Sequence, residues 1–216
     1  MSVRAVATIG VVSLALGACA MGQQGSSQAP ARLSLEAAAR TAGQGGESSA
    51  PPQASSSLTV QVSAPWVAPA FAGERIAYRR EPLRLEYYTL SRWAEPPQEA
   101  VAAVLTRRLE ESGAFRVVLP PQARLSADRR LAVDLELLEE RVPPVGPAPY
   151  GEAEVALRAR WVQTSDGRVL ASKRFAATAP VTQPNADGAV AALGEALARV
   201  SEEVARWTLA VEAQGR

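Results

Sequence analysis

From residue 58 onward, apolar and polar residues alternate along much of the chain. Leu58, Val60 and Val62 share one side and Thr59, Gln61 and Ser63 the other, which is the period-two pattern of a half-buried strand. Residues 75–80 and 83–93 extend the pattern, and the adjacent Tyr87 and Tyr88 are expected to point to opposite faces. Residues 114–119 give a short strand. Leu131, Val133, Leu135 and Leu137 then alternate with Ala132, Asp134 and Glu136, and Ala153, Val155, Leu157, Ala159 and Trp161 with Glu154, Arg158 and Arg160. The "SDGR" of 165–168 predicts a hairpin turn into "VLASKRF". Two stretches change period. After Pro96 and Pro97, Val101, Val104, Leu105 and Leu109 form a helical stripe that Gly113 can close. Across 186–211, Val190, Leu193, Leu197, Val200, Val204 and Trp207 recur at spacings of three and four. The order of elements predicts an α+β domain over 58–212, a mostly antiparallel or mixed sheet with two helices packed on one face, preceded by a disordered tether.

The chain before residue 58 lacks such patterning. Arg4 followed by the apolar run 5–16 reads as an export signal over 1–18, the run being too short for a permanent membrane span. "LGAC" (Leu16, Gly17, Ala18, Cys19) resembles the lipobox of bacterial lipoproteins. That resemblance implies a thioether-linked lipid on Cys19, cleavage before it and acylation, for example with palmitate, of the new amino terminus. Several acyl chains anchor stably where one holds only marginally. Ala20 and Met21 follow, not the Asp that retains such lipoproteins in the inner membrane, so the expected place is the periplasmic face of the outer membrane. Residues 19–57 are rich in Ala, Gly, Ser, Gln and Pro and are expected to be a disordered tether with an end-to-end distance of roughly 35 Å. Within them "ARLSLEAAAR" (31–40) has the composition of a transient helix, too short to be stable alone.

Composition narrows the chemistry. The 23 basic and 22 acidic residues nearly cancel and do not cluster, so nucleic acid is not an expected partner. One cysteine and no histidine exclude an internal disulfide and the usual triads, and make zinc and other cofactors unexpected beyond the lipid on Cys19. No phosphate-binding loop of the GxxxxGK[ST] type is present, and Ser172 and Lys173 are neighbours on a strand, facing apart. The pairs Glu110 and Glu111, Glu139 and Glu140, and Glu202 and Glu203 read as solvated surface, not as a carboxylate pair facing across a cleft. No enzyme is expected. The loop "RVPPVGPAPYG" (141–151) is a candidate partner-docking segment through Pro143, Pro144, Pro147, Pro149 and Tyr150, with a proline-tolerant connection between strands the equal alternative. Trp93 and Trp207 are assigned to the core.

Several stretches together resemble the ABC-type transport auxiliary lipoproteins, a family that includes the Pqi lipoprotein component. They are "GERIAYR" (73–79), "LEYYTLSRWAEPPQEAV" (85–101), "LEESGAFRVV" (109–118), "LAVDLELLEE" (131–140), "ALRARWVQTSDGRVLASKRF" (156–175) and "ALARVSEEVARW" (196–207). The resemblance implies an outer-membrane-anchored, non-catalytic component of an Mce-type ABC system that moves lipids or other hydrophobic molecules between the two membranes. Its expected partners are an Mce-domain periplasmic protein with its permease and ATPase, and a homo-oligomer is compatible with docking to a ring. Two alternatives stay open on the residues alone. One is an assembly or structural lipoprotein serving lipopolysaccharide or β-barrel machinery, the other a lipid carrier with its own pocket.

Overall fold

The protein is seen here in a computed structural model that describes residues 29–43, 56–143 and 150–214. Among the described residues, nine strands and three helices follow in the order β1 (Ala31–Leu33), α1 (Leu35–Gly43), β2 (Ser56–Val62), β3 (Trp66–Val67), β4 (Arg75–Glu81), β5 (Arg84–Trp93), α2 (Pro97–Glu111), β6 (Phe115–Leu119), β7 (Arg129–Arg141), β8 (Gly151–Gln163), β9 (Val169–Val181) and α3 (Ala186–Gln214). The α+β class and the mixed sheet agree with the sequence reading. The strands and both expected helices also lie where the patterning put them.

β7 organises the sheet. One of its edges pairs antiparallel with β8 over nearly its whole length, and β8 pairs in turn with β9. Its other edge is shared by three strands in succession, all parallel to it: β2 at Arg129 to Leu131, β3 at Asp134 and Leu135, and β4 at Glu140 and Arg141. β6 extends the sheet beyond β2, and β5 then β1 extend it beyond β4. The sheet therefore forks, with one branch at each end of β7.

A bulge at Glu136 alters the facing of β7. Leu135 pairs with Leu157 and Leu137 with Ala156, so two steps on β7 match one on β8, and the inside and outside of the strand exchange beyond that point. Leu131, Val133 and Leu135 reach the core as expected, but Leu138 takes the next core position in place of Leu137. The strict alternation read from 131 to 137 thus breaks at its last member.

α3 is 29 residues long, about 43 Å at 1.5 Å per residue. That matches the length of the 13-residue strands it covers, about 43 Å at 3.3 Å per residue. Val190, Leu193, Leu197, Val200 and Val204 are buried along its inner stripe. Asn185 caps its start through a bond from Gly188 N to Asn185 Oδ1 (2.8 Å). Near its end Glu212 accepts from the Trp161 indole (2.6 Å) and from Arg129 Nε (2.5 Å), tying helix to sheet. Trp93 is buried, and Trp207 packs edge-on against Phe175 with ring centres 5.5 Å apart. α2 buries Val101, Val104, Leu105 and Leu109, and Gly113 takes a φ of 59° just past its end.

The tether expectation is corrected for residues 31–43. β1 pairs parallel with β5, and α1 packs on α3 with Leu35 and Ala39 fully buried. Composition misled because tertiary contacts, not intrinsic propensity, hold this short helix. Ser34 Oγ caps it at Ala37 N (3.0 Å), and Glu95 Oε1 accepts from Ser34 Oγ (2.9 Å) and Glu36 N (3.0 Å). On the other side, Gly194 lets the two backbones meet: a Cβ there would lie 2.5 Å from Ala38 Cβ and 2.6 Å from Ala39 N.

This close approach sets a prediction. On an open helical surface Gly→Ala stabilises by about 1 kcal/mol, whereas forcing a methyl into filled space costs about 1–3 kcal/mol. Gly194→Ala is expected to lower the urea midpoint and to speed proteolysis within residues 29–43. An unchanged midpoint and cleavage pattern would show that α1 is held without the contact.

Candidate functional site

The end of the sheet where β4 joins β7 gathers the polar groups that have lost most water. Glu139 is 1 % exposed and Glu140 2 %, which overturns their reading as solvated surface. As neighbours on a strand they lie on opposite faces, and the bulge decides which face each takes, placing each beside a partner from the β4–β5 hairpin. Glu110, Glu111, Glu202 and Glu203 are exposed, as expected.

On the open face Arg79 grips Glu139 with two bonds, Nε to Oε1 at 2.9 Å and Nη2 to Oε2 at 3.0 Å. This hydrogen bonding raises the Arg79 guanidinium above its already high ordinary value. Arg79 Nη1 also donates to the Pro82 carbonyl (2.9 Å), fastening the hairpin turn to β7. The network continues through Arg141 to Glu154 (2.5 Å), and farther along the same face through Arg158 (2.7 Å) and Arg174 (2.9 Å) to Glu136, and Arg160 to Asp134 (2.7 Å).

On the helix-covered face Tyr88 Oη donates to Glu140 Oε2 at 2.5 Å, and Tyr78 Oη to Glu86 Oε2 at 2.6 Å. The two rings stand 5.0 Å apart. Burial pushes the Glu140 carboxyl above its ordinary range, partly opposed by the Tyr88 hydroxyl and by Arg80. Burial and the bond to Glu140 push the Tyr88 phenol up, and the bond to Glu86 does the same for Tyr78. Tyr87 points the other way, as expected, donating to the Ala70 carbonyl (2.9 Å) with Arg75 over its ring.

Two depressions flank this end. One is an open groove of about 910 Å³ lined by Arg79, Arg80, Pro82, Leu137, Glu139, Arg141, Val142, Pro143 and Pro180 among others. The other, of about 420 Å³, lies among Tyr78, Tyr87, Tyr88, Glu140, Pro143, Tyr150 and Pro184. Of the candidate docking residues, Pro143 and Tyr150 sit at the mouth of the second. Pro144, Pro147 and Pro149 lie outside the described residues, as do Cys19 and the lipobox residues Leu16, Gly17 and Ala18. Among the described residues no cluster of three or more potential metal ligands occurs, and no helix is long and apolar enough to cross a membrane. The hairpin partners Tyr78, Arg79 and Tyr88 escaped the sequence reading. Their signal, a tyrosine or arginine opposite an acidic residue, appears only once β4 is known to pair with β7.

Two measurements probe this end. Arg79→Ala leaves the buried Glu139 carboxylate with Arg141 at 3.9 Å in place of a bidentate partner and is expected to cost about 3 kcal/mol in urea unfolding, whereas the double change Arg79→Met with Glu139→Leu costs far less; equal losses would mean that charge pairing is not what matters. For Glu140, the folded-state value lies above the unfolded one. Its contribution is therefore complete below the ordinary carboxylate range and is lost as pH rises through the raised value. The melting temperature of Glu140→Gln relative to wild type should accordingly climb between acidic and neutral pH, and a pH-independent difference would contradict it.

Comparison with known proteins follows the same outline. Residues 42–205 match the family model described as the ABC-type transport auxiliary lipoprotein component. No curated protein matches the chain. Among solved structures, protein XCC0632 from Xanthomonas campestris is 27 % identical with a TM-score of 0.67, over 77 % of this chain and 92 % of that one. An uncharacterized protein is 18 % identical with a TM-score of 0.60, over 74 % and 96 %. The family match spans the sheet from β2 to β9 and most of α3, including every residue of the Arg79–Glu139 and Tyr88–Glu140 pairs, and on it the chain belongs to the ABC-type transport auxiliary lipoprotein components.

Proposed function

We propose that this protein is a non-catalytic auxiliary component of an Mce-type ABC transport system, held by a lipid on Cys19 at the periplasmic face of the outer membrane. The observation that carries the reading is the family match over 42–205. The lipobox at Leu16, Gly17, Ala18 and Cys19 supports the anchor. Such a system carries lipids or other hydrophobic molecules, which do not cross an aqueous periplasm unaided. An anchored domain that captures the outer end of a conduit gains from effective concentration, since a tethered encounter replaces a three-dimensional search. The family assignment to an auxiliary lipoprotein component fits docking better than turnover.

The test is affinity purification of the carboxy-terminally tagged, lipidated protein from its own solubilised envelope, read by mass spectrometry. Recovery of an Mce-domain protein with its permease and ATPase is the expected result. Recovery of β-barrel or lipopolysaccharide assembly machinery in their place would overturn it. In parallel, Cys19→Ala should abolish the lipid-modified amino-terminal peptide and release the protein from the membrane fraction.

A further inference from the structure

The β4–β5 turn presents an apolar residue to water with nothing among the described residues to cover it. Leu83 is 99 % exposed at the tip, beside Pro82. The tip is held firmly for so exposed a group: Arg79 bonds the Pro82 carbonyl (2.9 Å) and is itself clamped by the buried Glu139. Arg80 and Arg84 flank it. Arg84 reaches Glu81 only at 3.8 Å, both side chains being well exposed, and Arg80 lies 5.3 Å over the Tyr78 ring without an ion pair among the described residues. A rigid apolar point between two exposed arginines has the chemistry to enter the headgroup layer of a bilayer, the leucine toward the acyl boundary and the guanidiniums on phosphates.

The path of the chain favours the same end. β1 is parallel to β5, with Ala31 opposite Ser91, and β5 runs away from the tip. The residues before Ala31 therefore leave in the direction of the tip. Only twelve residue steps lead from Cys19 to Ala31, a reach of at most about 40 Å. Ser91 lies seven residues along β5 from Arg84, about 23 Å. With residues 31–43 packed on the body, the anchor is short, and the tip lies within its span.

We propose that the Pro82–Leu83 turn, with Arg80 and Arg84, contacts the bilayer that holds the Cys19 lipid, so that the β4–β5 end of the sheet faces the membrane. This rests on the anchored reading above. Pro143 and Tyr150 lie at that same end, so in this orientation they stand near the bilayer, and the β6–β7 connection, with Leu125 68 % exposed, faces the periplasm.

The test uses the full lipidated protein carrying Leu83→Cys, whose thiol becomes the free one when Cys19 is in thioether linkage. It is labelled with an environment-sensitive fluorophore and reconstituted in vesicles of phosphatidylethanolamine and phosphatidylglycerol with or without doxyl-labelled lipid. The expected result is blue-shifted emission quenched by the doxyl lipid, both lost on adding Arg80→Glu and Arg84→Glu, and neither seen with the label at Leu125→Cys. Quenching at 125 in place of 83 would invert the orientation and overturn the proposal, as would quenching at neither. The mass of the amino-terminal peptide is read on the same sample: an unmodified Cys19 removes the anchor reading itself, while a lipidated Cys19 with an unquenched 83 label removes the tip contact alone.

Discussion

The pairing of β7 is the constraint on which the other parts depend. A 13-residue strand that gives one edge to a single partner and divides the other among β2, β3 and β4 decides where each later element can lie. β8 and β9 form a long platform beside it, and α3 has the length to cover that platform from end to end. The two branches of the fork then sit at opposite ends of the molecule. Because β4 joins at Glu140 and Arg141, the β4–β5 hairpin projects past the end of β7, which is why its turn is exposed while its base is rigid.

The extra residue at Glu136 has effects beyond one register step. Without it, Glu139 would share the inner face with Leu135 and Leu137, an unaffordable place for a carboxylate among apolar neighbours. With it, Leu138 fills the core position, Glu139 meets Arg79 on the outer face, and Glu140 meets Tyr88 under the end of the sheet. The two acidic residues are thus buried by different means. One is a charged pair held in bidentate geometry. The other is a carboxyl whose proton affinity is raised by burial and which leans on a phenol. Both fasten the hairpin to β7, so the stability of this end and the presentation of its tip have one cause.

Much of this was legible in the sequence because strands and helices write their burial as a period. The stripes Val101, Val104, Leu105, Leu109 and Val190, Leu193, Leu197, Val200, Val204 are buried as read. What escaped was set by contacts between segments far apart in the chain. α1 looked like part of a tether because nine residues with three consecutive alanines have no means of standing alone. Its stability comes from Gly194, more than 150 residues away, and from Glu95 at its first turn. The bulge is equally silent, since "LELLEE" is compatible with either facing until its neighbour is placed. The buried carboxylates follow from that same uncertainty.

Moving α1 from the tether to the body changes the mechanics of anchoring. On the proposed anchoring, a free coil from residue 19 to 57 would let the domain wander tens of ångströms from a lipid on Cys19, and its orientation would be averaged away. Docking of residues 31–43 leaves twelve residue steps between Cys19 and the first strand, and the parallel pairing of β1 with β5 fixes the direction in which the chain enters that strand. A short leash on a fixed bearing restricts orientation as well as distance, because each turn of the domain away from the favoured end must be met from the same small reserve of chain. On the proposed anchoring at Cys19, the packing of Ala38 on Gly194 is more than a stability contact: by fixing where the leash begins, it couples the core of the domain to the face turned toward the membrane.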